Sequence, residues 1–192
     1  MASSSAPADT SAPPPLPSAP TDPSVAQQTP QGAYPLSMND LSSLVSYHAH
    51  PAGLSIRSLV SLPAGSVFAK ITTSTPTNTK RWSTVQTSRD THIELNSALL
   101  YMNHSCNPSL EIDVKSMEVK VARGGDVSKG DELSFFYPST EWEFDNPFKC
   151  LCGSKGCLGE VKGAKYIKEE ELGRWFVNEH ILELKREQAE QN

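Results

Sequence analysis

Long apolar runs are missing from this chain: none approaches the roughly 18 to 20 residues that a bilayer-spanning helix needs, so nothing in it argues for a membrane protein. The N-terminal MASSSAPADT lacks both the positive charge and the apolar block of a secretion signal, and the expectation is an intracellular protein of the cytoplasm or nucleus. An excess of positive charge is missing too. With 22 acidic against 17 basic residues and a formal charge of -5, the electrostatic case for gripping a nucleic-acid backbone is removed, and a basic peptide is the better-suited partner. No GxxxxGK[ST] or GxGxxG is present to cradle phosphates, and there is no internal repeat.

What is there suits one globular domain plus tails. Residues 1–33 are Pro, Ser, Ala and Thr with almost no charge and few large side chains. Such a segment cannot bury enough apolar area to offset its ordering entropy, which predicts a disordered tail. Its APPPLP run has the look of a polyproline ligand, although a plain flexible spacer is the favoured reading. From Tyr34 the pattern becomes short β-rich segments divided by turns. LSIRSLVSLPAGSVFAKI reads as strand, Pro-Ala-Gly turn, strand. Leu110, Ile112, Val114 and then Met117, Val119, Val121 alternate as a hairpin turning near Lys115 and Ser116. ELSFFY is a further strand. Helix is predicted twice, over RDTHIELNSALLYM and over the C-terminal segment 163–192, where acids lead and bases follow as the helix dipole favours. The fold class is mainly β with a few helices.

The four cysteines carry the most chemistry. Cys150, Cys152 and Cys157 lie in CLCGSKGC, and Cys106 lies in YMNHSCNPSL. In an intracellular protein such spacing points to metal more readily than to disulfides. Zinc takes four tetrahedral thiolate or imidazole ligands; the C-x-C-x4-C run supplies three, and Cys106 closes the site if the fold brings it near. Four unrelated reduced thiols are the alternative.

NHSCNP at 103–108, ELSFFY at 132–137 and CLCGSKGCLG at 150–159 together resemble the SET-domain lysine methyltransferases with their post-SET zinc segment, over roughly residues 45 to 160. The resemblance implies a β-clip-like SET domain over 34–145 and a post-SET zinc segment over 146–162, ahead of the C-terminal helix over 163–192. It implies a knot-like threading in which ELSFFY passes beneath NHSC, against the general rule that chains avoid knots. It also implies S-adenosylmethionine as methyl donor, structural zinc on Cys106, Cys150, Cys152 and Cys157, and a protein lysine as substrate, a histone tail being one such substrate that no single residue specifies. Asn103 and His104 become cofactor contacts and Tyr137 the catalytic phenol. Tyr101 either lines the lysine channel or packs in the core. Trp142 either closes over the cofactor or packs its linker, and Phe136 is either core or a neighbour of the adenine.

The pattern is departed from in named places. Gly53 alone stands for the glycine-rich turn near the methionine end of the cofactor, with Ser55 in place of the second glycine, and VFAKITTSTPTNT has no tyrosine for the lysine channel. Ser109 stands where asparagine is commoner. Methylation of a small amine, or an inactive fold used as an interaction module, therefore stays open beside the protein-lysine reading. His48, His50 and His180 have no partners at metal-ligand spacing, His92 has no assigned role, and the acidic pairs near the C-terminus read as a solvated helix face.

Overall fold

The computed structural model describes residues 41–50 and 53–191; the proline-rich tail over 1–33 and its APPPLP run lie outside them. Twelve short strands run in chain order: β1 (Val45–His50), β2 (Gly53–Ser58), β3 (Val67–Lys70), β4 (Thr75–Thr77), β5 (Thr84–Gln86), β6 (His92–Glu94), β7 (Asn103–His104), β8 (Leu110–Asp113), β9 (Glu118–Val121), β10 (Ser134–Phe135), β11 (Phe148–Lys149) and β12 (Glu160–Val161). Two α-helices follow among the described residues, α1 (Glu169–Leu172) and α2 (Glu179–Glu190). Among the described residues no helix is long and apolar enough to cross a membrane.

Alternation explains the β8–β9 hairpin. Leu110, Ile112, Val119 and Val121 all point inward and are fully buried, while Asp113 and Lys120 meet outside at 2.9 Å. Asp113 also accepts the N–H groups of Lys115 and Ser116 through Oδ1, which closes the turn.

β10 enters the sheet in parallel between β7 and β8, the strands at the two ends of NHSCNPSL, giving the order β3-β9-β8-β10-β7. Ser134 pairs with Asn103, and Phe135 with both His104 and Leu110. The segment from 132 to 137 thus runs between the two ends of NHSCNPSL, the threading that the resemblance implies. Ser109 fixes the crossing: its Oγ accepts the Ser134 N–H at 2.9 Å and donates to the Glu132 carbonyl at 3.0 Å.

Two elements differ from the sequence expectation. RDTHIELNSALLYM is not an α-helix. His92–Glu94 is the middle strand of the three-stranded sheet β4-β6-β5, and only Ala98–Tyr101 coils, as a 3₁₀ turn. Asn96 separates them in the left-handed region at φ 50°, held there by bonds from its Nδ2 to Thr73 O and Thr75 Oγ1. Ile93, Leu95, Ala98, Leu99 and Met102 are nonetheless all buried, so the apolar set marks the core side correctly in the wrong geometry. The C-terminal helix is likewise two helices. Asn178 precedes α2, yet its side chain serves the sheet rather than the helix end: Oδ1 accepts the Val114 N–H, and Nδ2 donates to Ile112 O and Ser139 O. This docks α2 on the end of β8.

Candidate active site and metal centre

The β11–β12 hairpin carries the cysteine loop, and Phe148 pairs with Val161 across it. The next rung is the Cys150 N–H to Gly159 O at 2.8 Å. Gly153 (φ 66°) and Gly159 (φ 74°) supply the left-handed conformations that the tight loop requires. Cys106 arrives from the β7–β8 connection, and the Sγ atoms of Cys106, Cys150, Cys152 and Cys157 all lie within 4.8 Å of one another. None is in a disulfide, and the buried Cys106 and Cys150 sulfurs are 3.8 Å apart, well beyond the S–S bond length of about 2.05 Å. Backbone N–H groups of Leu158, Cys152 and Gly159 approach Cys106, Cys150 and Cys157 sulfur at 3.4 to 3.5 Å, a setting that favours thiolates. Burial opposes this and pushes the Cys106 thiol up. A bound cation would resolve the conflict, and four sulfurs at this spacing form a donor set suited to tetrahedral zinc.

His104 joins this centre to Tyr137. Its Nδ1 accepts the Tyr137 N–H at 3.2 Å, so the proton of the neutral ring sits on Nε2, which faces Cys106 sulfur at 3.4 Å. Burial holds the imidazole down at about 4, which keeps it neutral in this role. Tyr137 begins the 3₁₀ turn Tyr137–Ser139 directly after β10. Its O–H donates to Met102 O at 2.9 Å, and burial pushes its phenol up to about 12. It therefore stays protonated and is no base at neutral pH. Phe135, His104, Phe144 and Phe148 rings surround it at centroid distances of 4.7 to 6.3 Å.

Tyr137 stands between two cavities. The first, about 540 Å³, has aliphatic walls from Val85, Leu95, Leu99 and Met102 and an aromatic wall from Phe144 and Phe148. The second, about 680 Å³, is polar, with Arg57, Asn103, His104, Ser105 and Glu132 among its lining. Only Tyr137 and Phe148 line both.

The other sequence candidates fall as follows. Asn103 and His104 line the polar cavity, and so does Ser55, while Gly53 starts β2 at φ 137° outside the lining. Phe136 is buried and stacks on Trp175 at 4.0 Å. Trp142 packs in the same cluster with the Lys185 ammonium 5.5 Å from its ring centroid, and lines neither cavity. Tyr101 packs edge-on against Tyr47 at 5.5 Å, while its neighbours Leu100 and Met102 reach the apolar cavity. Sequence reasoning missed Arg57, Glu141, Phe148 and Leu151. The last two had a signal, since a residue beside or between metal-ligating cysteines has its position fixed by the metal. Glu141, four residues after Tyr137, had only that spacing.

A protein of Aspergillus flavus, methyltransferase flvH, is 50% identical to this chain over 136 residues, covering 71% of this chain and 76% of its own length. The H3 lysine-4-specific histone-lysine N-methyltransferase of Emericella nidulans is 34% identical over 65 residues, 31% of this chain and 5% of that protein. Among solved structures, the methyltransferase domain of human histone-lysine N-methyltransferase SETMAR superposes with a TM-score of 0.45 at 17% identity, covering 62% of this chain and 59% of that one. No family model matches. The chain belongs to the SET-domain methyltransferases.

Proposed function

We propose that this chain transfers the methyl group of S-adenosylmethionine to an amine, and that the amine is a lysine side chain of a protein. The observation that carries the reading is the position of Tyr137 as the shared wall of a polar and an apolar cavity. The polar cavity fits the cofactor. Arg57 has a buried Nε with no hydrogen-bond partner, suited to a carboxylate, and Asn103, His104 and Ser105 add polar contacts beside it. Leu151 is 79% exposed at the rim, an apolar surface suited to a base. The cofactor would supply a methyl group already activated by a sulfonium charge.

The protein's own work is then alignment, which contributes on the order of 7 to 11 kcal/mol. With its O–H committed to Met102 O, Tyr137 offers its lone pairs to an amine N–H and to a methyl through weak C–H contacts. The amine must be unprotonated when the methyl is transferred. Its ordinary pKa of about 10.4 falls in an apolar cavity beside a cation, because burial and like charge both disfavour ammonium. In this reading residues 34–145 form the catalytic unit, 146–162 a zinc segment whose three cysteines hold one structural ion together with Cys106, and 163–192 a clamp over it.

The lysine assignment draws support from the histone-lysine relatives, whose match is confined to 65 residues. A small amine is the second reading. It is favoured by Lys80, whose Nζ bonds Glu143 O and Asp145 Oδ1 and so bridges two walls of the apolar cavity, narrowing the room for an extended peptide. Calorimetric titration of S-adenosylmethionine into zinc-loaded protein tests the cofactor assignment, with micromolar binding expected. Absence of binding would make the fold an interaction module. Mass analysis of products from a lysine peptide pool and from small amines then decides between the two substrates.

A further inference from the structure

The apolar cavity has one feature that the methyl-transfer reading leaves unused. Glu141 lines it and is only 6% exposed. Its Oε1 accepts the Gln86 N–H at 2.7 Å, and Gln86 Oε1 in turn accepts the Trp142 N–H at 2.9 Å. This reciprocal clamp between β5 and the segment after Tyr137 fixes the carboxyl group. Oε2 lies 3.8 Å from His92 Nε2, too far for a hydrogen bond, and the Thr140 hydroxyl beside the carboxyl draws on it as well. Both His92 ring nitrogens are buried without a partner, and burial, then Lys80, holds His92 below its ordinary value and so neutral. A carboxylate is thus held in a largely aliphatic and aromatic cavity with acceptor sites to spare beyond the Gln86 N–H and the Thr140 hydroxyl. Burying such a group without a partner is costly, and a structure retains it where a partner arrives with the ligand.

We infer that Glu141 is a specificity-determining residue of the apolar cavity, the anion that recognises the cationic amine of the methyl acceptor. The inference rests on the amine-methylating reading above and adds to it a residue and a charge rule. Amines carried on an apolar stem, such as a lysine side chain or a short alkylamine, are admitted, while neutral molecules of the same shape are not. The charged groups around Glu141 fit this role. Lys80 and Asp145 face it from the rim and are paired with each other at 3.0 Å, and Arg81 of the same lining is turned to Glu94 at 3.9 Å, which leaves the inner carboxylate as the acceptor for an incoming cation. Burial pushes the Glu141 carboxyl up to about 7 against the pull of the Gln86 N–H and Lys80. The attraction is therefore weak in mild acid and full in mild base, where an alkylamine is still charged.

The test uses the zinc-loaded full chain and two probes of equal length, n-butylamine and 1-butanol, titrated at pH 8 with the protein observed by NMR. The wild type is expected to prefer butylammonium by about tenfold, as a charge-assisted hydrogen bond to a buried carboxylate implies, with the preference shrinking at pH 6. Glu141→Gln keeps an acceptor for the Gln86 N–H and should reduce the preference to about twofold or less. Lys80→Gln removes the competing cation and should strengthen it, which keeps the proposal testable if the first variant folds poorly. Equal binding of the two probes to the wild type, or an undiminished preference in Glu141→Gln, overturns the role of Glu141. The calorimetric test of cofactor binding is independent of these titrations, so a protein that binds S-adenosylmethionine but fails them loses only this inference.

Discussion

The polar cavity and the apolar cavity meet at Tyr137 and are supported in different ways. The polar one is walled by the threaded strands β7 and β10 and by the cysteine hairpin, with Asn103 and His104 on one side and Leu151 and Cys152 on the other. The apolar one is walled by β5 and the loop before it, the 3₁₀ turn at Ala98–Tyr101 and the aromatic segment at 144–148. One cavity thus takes part of its wall from the hairpin that carries the four-cysteine cluster, and the other from hydrophobic packing with one buried acid. The two supports are joined through Phe148, which lines both cavities and sits two residues before a cysteine of the metal centre.

The largest break in this comparison comes from the metal. Cys106→Ser removes the one sulfur contributed from outside the hairpin. It should lower the zinc content found by elemental analysis and cost several kcal/mol of stability in thermal unfolding, because metal binding and folding are linked. Both cavities should suffer, since Phe148 is shared. Unchanged zinc content would remove Cys106 from the site. Tyr137→Phe should act at the boundary itself. Methyl transfer should fall on the order of 100-fold as the amine loses its alignment, while calorimetric affinity for S-adenosylmethionine stays nearly constant. Equal rates would take Tyr137 out of the mechanism.

How much of this was legible in the sequence follows the same division. The four-cysteine cluster was legible because ligand chemistry restricts residue type: a C-x-C-x4-C run and one more cysteine leave few uses when none is in a disulfide. The β8–β9 hairpin was legible because its period of two is carried by four side chains that are all fully buried. The 89–102 segment was not, since a buried apolar set at mixed spacing satisfies a helix and a strand-turn alike, and Asn96 decided between them through bonds to Thr73 and Thr75. Glu141 could not be read either. Within EWEFD it is one acid among several, and only the fold distinguishes it from Glu143, which pairs with Lys165 at the surface.

Sharpening the contrast within the polar cavity, Arg57→Gln should weaken S-adenosylmethionine binding by about tenfold, as expected for losing a charge-assisted contact, and leave the butylamine titration of the apolar cavity unaltered. A matching loss in both titrations would show that the cavities are not separable.

Acid and base should separate the supports more gently. The Glu141 carboxyl is raised from 4.5 to about 7, so between those values the folded chain holds a proton that the unfolded chain has released. This contribution to stability is fully present below pH 4.5 and is lost as pH rises toward 7. Glu141→Gln removes it, and the variant should lose less stability than the wild type between pH 5 and pH 7.5, by an amount on the order of 1 to 3 kcal/mol. Thermal unfolding across that range reads the difference. Parallel profiles for the two proteins would mean that the carboxyl is already relieved by water or by Lys80, and a cation entering the apolar cavity would then gain little from it.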